Sequence, residues 1–421
     1  MQSGRAHLSV PIAAACSYLF TAKQLRAYRR SYSVIDPVHY VKRAAPAALL
    51  FQNGRGDPVA PVRDVNAFVR AASEPKQLRW YDTGHALNEQ AHRDRDAWLV
   101  RLLSGGDRGT AARTAAWAEI RPGGKTRCAR GEPYAFWLRR SDPTKVLVFF
   151  QGGGGCFDER TCALGSTWFD DRVGAEDNPR FNGGMLDLDD RRNPFRDWSI
   201  VYIPSCTGDV HTGTRVVRYR RLRVHQKGFF NARAALARAY REFPRAKTVF
   251  VTGCSAGSVG SAFHADAIIR HYRRARVTQL GDSLAFVFHR PIRLVDWGTH
   301  AVFPPFFRIG NRRWTMVEFV TRLTRAHPRV TFARFNHASD SVQEDFYEAV
   351  GANRAGFEPR LRSAERALKR LPNYRSYLAC GSSHCALPTA EFFSLRVGGI
   401  LLRDWVADLA RGRDVGCPTC G

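Results

Sequence analysis

Long apolar runs are missing from this sequence. No stretch approaches ~18 consecutive apolar residues, so no segment reads as a transmembrane helix. Acid is scarce: 38 Asp and Glu stand against 65 Lys and Arg, a formal charge of +27. Such a surface attracts polyanions. Yet the basic residues are mostly Arg, spread along the whole chain, with neither zinc-finger spacing nor an RNP-type aromatic motif, so a specific nucleic-acid reader is not expected. A Gly-Lys-Ser/Thr sequence is absent after the one long glycine run, which excludes a P-loop there. What the chain does have is apolar bulk, 44% hydrophobic residues with 27 Phe, 13 Tyr and 9 Trp, so it is not a mostly disordered polymer. Its 421 residues suffice for one large α/β domain plus a smaller piece, or for two medium domains.

Cysteine is plentiful. Of ten, all but Cys16 fall between Cys128 and Cys420. That density suggests an oxidising compartment, secreted or periplasmic, and several disulfides. The amino-terminal stretch adds little support: Leu8 to Phe20 follows Arg5 but is interrupted by Pro11 and has no clear cleavage site. Cys417-Pro-Thr-Cys420 has metal-knuckle spacing but no second pair, so a terminal disulfide or free thiols is expected and no metal. Cys254 is expected to be a buried free thiol. The remaining eight downstream cysteines could pair fully, with connectivity open.

A small, polar, glycine-rich stretch divides the chain at residues 104–112. Before it, residues 1–103 read as strand, helix, strand, helix: Ala47 to Gln52, Pro61 to Ser73, Gln77 to Tyr81 and Ala91 to Leu103. Beyond it, residues 113–421 read as strands alternating with helices. Lys145 to Phe150, Trp198 to Ile203 and Thr248 to Thr252 are near-continuous apolar runs, the mark of strands buried on both faces. Arg276 to Leu280, Arg329 to Phe335 and Tyr374 to Ala379 are further strands. Helices are expected over His225 to Phe243, Ala256 to Arg273 and Gly399 to Arg411. The aromatic stretch from Val302 to Phe319 breaks the alternation and reads as an insertion. Such alternation implies an α/β fold with a doubly wound, mostly parallel sheet.

The chemistry concentrates at strand ends. Val249 to Thr252 runs into Gly253-Cys-Ser255-Ala-Gly257 and then a helix. A nucleophile needs this strained turn to lift its side chain clear of the sheet, with glycines letting neighbouring segments approach. The helix start then lies under a developing oxyanion. Gln151-Gly-Gly-Gly-Gly-Cys156 follows an earlier strand. The N–H groups of Gly154 and Gly155 would join that of Ala256 as an oxyanion hole. In such hydrolases the acid and base follow the serine on later strands, which selects Asp340 as the orienting acid and His384 as the base. Asp282 competes for the acid role and His337 for the base. Asp209, His211 and Asp282 are expected to line the site. No cofactor is implied.

These motifs together resemble the pectin acetylesterase family, which also contains the carboxylesterase Notum. The resemblance covers roughly Trp117 to Cys420 and rests on residues 151–156, the 253–257 turn, Gly281-Asp-Ser283, Asp340-Ser-Val-Gln343 and Ser383-His384. Cys206-Thr-Gly-Asp-Val-His211 looks like the bacterial branch. The resemblance implies an α/β-hydrolase fold and a Ser-Asp-His esterase that removes acetyl or longer acyl groups. Gly155 departs from it, standing where many members carry Trp. Residues 1–103 resemble instead the tail of a dienelactone-hydrolase-type protein, with Gly54-Arg-Gly-Asp57 and Tyr81-Asp-Thr-Gly-His85 as its acid and base loops but no serine elbow. The expectation is a serine carboxylesterase acting on an acylated small molecule or polysaccharide. The alternatives are an amide-cleaving serine hydrolase and a catalytically silent polyanion-binding protein.

Overall fold

The computed structural model describes residues 41–43, 49–57, 60, 62–73, 76–84, 87–104, 117–174, 177–283, 297–307 and 314–420. The chain divides into two compact units, residues 1–113 and 114–421. The expected linker lies, apart from Ser104, outside the described residues. Among the described residues no helix is long and apolar enough to cross a membrane.

The first unit is a β-α-β-α arrangement: β1 (Leu49–Gly54), α1 (Val62–Ala71), β2 (Lys76–Tyr81) and α2 (Glu89–Ser104). The two strands pair in parallel, Leu49 opposite Lys76 through Gly54 opposite Tyr81. Phe68 of α1 meets Phe51 of β1 edge to face at 5.7 Å. Asp57 is buried and accepts the Ala60 N–H at 3.1 Å. His85 lies outside the described residues.

The second unit is built on β3 (Trp117–Ile120), β4 (Phe136–Arg139), β5 (Asp142–Phe150), β6 (Trp198–Ile203), a ribbon of β7 (Arg215–Tyr219) and β8 (Leu222–Gln226), α3 (Gly228–Glu242), β9 (Thr248–Cys254), α4 (Ala256–His271), β10 (Arg276–Asp282), α5 (Met316–Ala326), β11 (Thr331–His337), α6 (Ser341–Ala349), α7 (Phe357–Leu368), β12 (Tyr374–Ala379), the short hairpin β13 (Arg396–Val397) and β14 (Ile400–Leu401), and α8 (Leu402–Arg411). Eight strands form one sheet in the order β12-β11-β10-β9-β5-β6-β4-β3. The first six in that order run parallel. β4 and β3 join antiparallel at the edge. The fold is the expected α/β-hydrolase-like sheet with helices on both faces.

Strand β5 shows why its apolar run has no polar face. Side chains alternate across the sheet, so Val146, Val148 and Phe150 enter the core with α3 and α4, while Leu147 and Phe149 enter the core with α8. Helix α4 is buried continuously from Ala256 to Asp266, and its small residues let it lie flat on the sheet.

Three boundaries differ from the sequence reading. His225 and Gln226 close β8, so α3 starts only at Gly228; the alternation of buried Val224 and Gln226 with more exposed Arg223 and His225 is a strand period. Gly399 to Leu401 belong to the β13–β14 hairpin, and α8 starts at Leu402. The Val302 to Phe319 stretch is not wholly an insertion, because it runs into α5, the crossover helix between β10 and β11; residues 308–313 lie outside the description.

Close approach at the start of α4 is sterically exacting. A Cβ at Gly257 would stand 2.0 Å from the Phe150 carbonyl oxygen, whereas one at Gly416 would meet nothing within 4 Å. Gly257→Ala is therefore expected to cost at least about 1–3 kcal/mol in equilibrium urea unfolding. Gly416→Ala should stay within about 0.5 kcal/mol of the parent.

Candidate active site

The six parallel strands end at one edge of the sheet, where ligands bind in open α/β folds. The residues singled out in the second unit sit at or just beyond the ends of these strands, Asp282 and His337 as the last residues of β10 and β11 and Ala256 as the first of α4. Ser255 follows β9 directly, at φ 54° and ψ −123°. A non-glycine residue there is strained, and the Ser255 N–H donates to the Asp282 carbonyl at 2.9 Å, which helps hold the turn. Gly253 cannot carry a side chain, since its Cβ would lie 2.3 Å from the Gly257 oxygen. Ala256 is the first residue of α4, so its N–H has no acceptor within the helix.

The glycine loop after β5 supplies the facing wall. Gly153 and Gly154 have φ 146° and 64°, and a Cβ on Gly154 would meet the Trp168 oxygen at 2.0 Å. Gly155 is corrected as an oxyanion donor, because its N–H already donates to the Trp168 carbonyl at 3.0 Å. Gly154 and Ala256 remain as candidate donors. Trp168 carries no sequence motif that could have announced this contact.

Asp340 and His384 meet as the chain order suggested. The His384 Nδ1 lies 2.8 Å from both Asp340 carboxylate oxygens. A carboxylate accepts, so Nδ1 carries the proton and Nε2 of the neutral ring is free to take one. Asp340 is fully buried, caps α6 through the Gln343 N–H at 3.0 Å, and accepts the Gln343 side-chain amide at 2.9 Å. The competing His337 is buried with its Nε2 3.4 Å from Glu391, and it does not line the cleft.

Three other expectations shift. Asp282 is fully buried under the cleft and accepts the Leu387 N–H at 2.8 Å; its neighbour Ser283 lines the cleft and accepts the Cys385 N–H at 2.9 Å. Asp282 thus holds the loop that carries His384, whose Nδ1 is bonded to Asp340 instead. Asp209 and His211 are buried too, and only Val210 between them reaches the cleft. Asp209 accepts the Thr207 hydroxyl and the Gly228 N–H, both at 2.8 Å, while His211 Nε2 donates to the Gln151 carbonyl at 2.9 Å and so steadies the glycine loop. Burial raises Asp209 to about 6 and lowers His211 to about 4.

The disulfides correct the cysteine reading. Cys254 is not a free thiol but is bonded to Cys385; the other pairs are Cys128–Cys206, Cys156–Cys162 and Cys380–Cys420. Cys417 and Cys420 do not bond each other, and Cys417 is the free cysteine among the described residues.

Ser255, His384, Gly154, Gly155 and Ala256 share one cleft, open to solvent. Its other walls are largely apolar, with Phe157, Val210, Trp297, Val342 and Phe346. Such a lining suits an apolar group of a small organic ligand.

Burial pushes the Asp282 carboxyl up to about 7, against the hydrogen bonds it accepts from Leu387 and Ala386. The folded chain therefore keeps this proton between about pH 4 and pH 7, where the unfolded chain releases it. Stability contributed by this group must fall as pH rises through that window. Urea unfolding of the parent and Asp282→Asn at pH 5 and pH 8 should show the parent losing ground to the variant, by up to about 1 kcal/mol per pH unit across the window. A pH-independent difference contradicts this.

Comparison with known proteins places these features. Residues 122–312 match the family model described as PAE, pectinacetylesterase. That span holds the glycine loop and Ser255 and ends before Asp340 and His384. The palmitoleoyl-protein carboxylesterase Notum of Schmidtea mediterranea is 28% identical over 154 residues, 35% of this chain and 29% of that protein's length. A crystal structure of the Wnt deacylase Notum from Drosophila superposes with a TM-score of 0.50 at 17% identity, covering 73% of this chain and 97% of that one, which bears on the fold alone. Over residues 122–312 this chain thus matches the pectinacetylesterase family, on a fold shared with Notum.

Proposed function

We propose that residues 113–421 form a serine carboxylesterase domain, with Ser255 as nucleophile, His384 as base and Asp340 as orienting acid. The observation that carries this reading is the fully buried Asp340 holding His384 Nδ1 at 2.8 Å, in a histidine that lines the same cleft as a serine at φ 54°. His384 Nε2 takes the Ser255 proton as Oγ attacks the ester carbonyl. The N–H groups of Gly154 and Ala256 receive the negative charge that builds on the carbonyl oxygen. The tetrahedral species collapses, His384 returns the proton to the departing alcohol, and an acyl-serine remains. Water, deprotonated by the same histidine, releases the acid.

The apolar walls fit an acyl group. The matched relative is by name a palmitoleoyl-protein carboxylesterase, and the family name points to acetyl esters. The alcohol side is suggested by the β7–β8 ribbon. Arg218 stands directly opposite Arg223, and both are exposed. Like charges in that position repel, and among the described residues neither pairs with an acid. His225 on the same face is held below its usual range by burial and by Arg223, Lys227 and Arg127. The ribbon is tied to the cleft, since the Thr214 N–H donates at 2.8 Å to the carbonyl of Trp297, a cleft residue. A cationic face there suits an anionic, acylated polysaccharide.

Two outcomes test the proposal. Aryl acetate hydrolysis should fall at least ~10³-fold in Ser255→Ala, with the fold retained; unchanged turnover in that variant rules out the assignment. The double variant Arg218→Glu, Arg223→Glu should raise KM on an acetylated acidic polysaccharide and flatten its salt dependence, while aryl acetate turnover stays unchanged. Equal loss on both substrates contradicts the role given to the ribbon.

A further inference from the structure

The candidate serine and histidine reach the same cleft from distant strands. β9 and β12 are separated by β10 and β11 in the sheet, three strand spacings or about 14 Å. The loop after β12 must therefore turn back across the sheet to bring His384 into the cleft that Ser255 lines. Its anchors lie at the ends of the three strands it crosses. At the end of β11, Ser339 N–H donates to the Gly381 carbonyl and Ser341 N–H to the Ser382 carbonyl, both at 3.1 Å. At the end of β10, Ser283 and Asp282 accept the N–H groups of Cys385 and Leu387. At the end of β9 the last anchor is covalent: Cys254, the residue before Ser255, is bonded to Cys385, the residue after His384.

We propose that the Cys254–Cys385 disulfide is a positioning element of the reaction, fixing the base against the nucleophile across the sheet. This rests on the esterase reading above. Cys385 has φ 62°, a left-handed conformation costly for a residue with a side chain, which persists only where its surroundings enforce it. The bond is buried, with Cys254 9% and Cys385 5% exposed. A His384 ring nitrogen lies within 4.8 Å of both sulfurs, so the bridge packs beside the imidazole. The other disulfides do not adjoin Ser255 or His384 in sequence. Without the bridge the loop keeps its hydrogen bonds but loses the anchor at β9, and the His384 ring can drift from Ser255. A displacement of about 1 Å in such a pair can cost on the order of 10²-fold in rate.

The test compares the parent with Cys254→Ala, Cys385→Ala in the full chain, using an aryl acetate and a fluorophosphonate that labels the serine. The expected result is a folded variant whose kcat falls 10- to 100-fold, on the order of that misplacement cost, with KM within about threefold, and whose labelling slows in parallel. A folded variant with parent-like kcat and labelling rate overturns the proposal. If the variant does not fold, the parent is titrated with a phosphine reductant under native conditions, and mass spectrometry follows which bond opens. Activity retained in molecules with this bond open also overturns it. A parent that neither turns over nor labels at Ser255 overturns the esterase reading itself, a result separate from either of these.

Discussion

Convergence across a sheet is the constraint on which the rest of this structure depends. Side chains leaving β9, β11 and β12 must meet at one point, and the glycine loop from β5 must close over it. Sterics solve half of the problem. Gly253 and Gly257 let the start of α4 sit against the exit of β5, with a missing Cβ at Gly257 that would otherwise lie 2.0 Å from a carbonyl oxygen. Hydrogen bonds and one disulfide solve the other half, drawing the loop after β12 back toward β9.

Beneath the cleft lies a layer of buried polar groups that hold loops in place. Asp209 gathers Thr207 and Gly228, His211 steadies the Gln151 carbonyl, and Asp282 holds the loop carrying His384. Burial pushes the two acids up and the histidine down. Their pH effects oppose each other. Below about pH 6.5 the buried histidine loses stability relative to the unfolded chain, while the acids gain it as pH falls from about 7. The scaffold is thus less sensitive to moderate acid than either kind of group alone would make it.

Much of this was legible in the sequence where one physical rule acted locally. Apolar runs such as Lys145 to Phe150 read as buried strands because both faces of the sheet are covered. The Gly253–Gly257 turn was legible because a strained elbow needs glycines at fixed offsets. The order of Ser255, Asp340 and His384 followed from strand ends. What stayed hidden depended on partners far along the chain. Nothing near Gly155 announces that the Trp168 carbonyl takes its N–H. Cys254 read as a lone thiol because Cys385 lies 131 residues away. Asp209 and His211 looked like cleft residues because local pattern does not separate a polar group facing a ligand from one holding a loop. The β7–β8 ribbon escaped notice because its arginine-rich alternation merges into the helix that follows.

The most direct test of the central claim is mass spectrometry of the chain quenched during turnover of a slowly deacylating aryl ester. The account predicts a transient acyl adduct on the peptide containing Ser255, forming in step with a burst of released phenol. Turnover with no adduct on Ser255, or with the adduct on another residue, would contradict it.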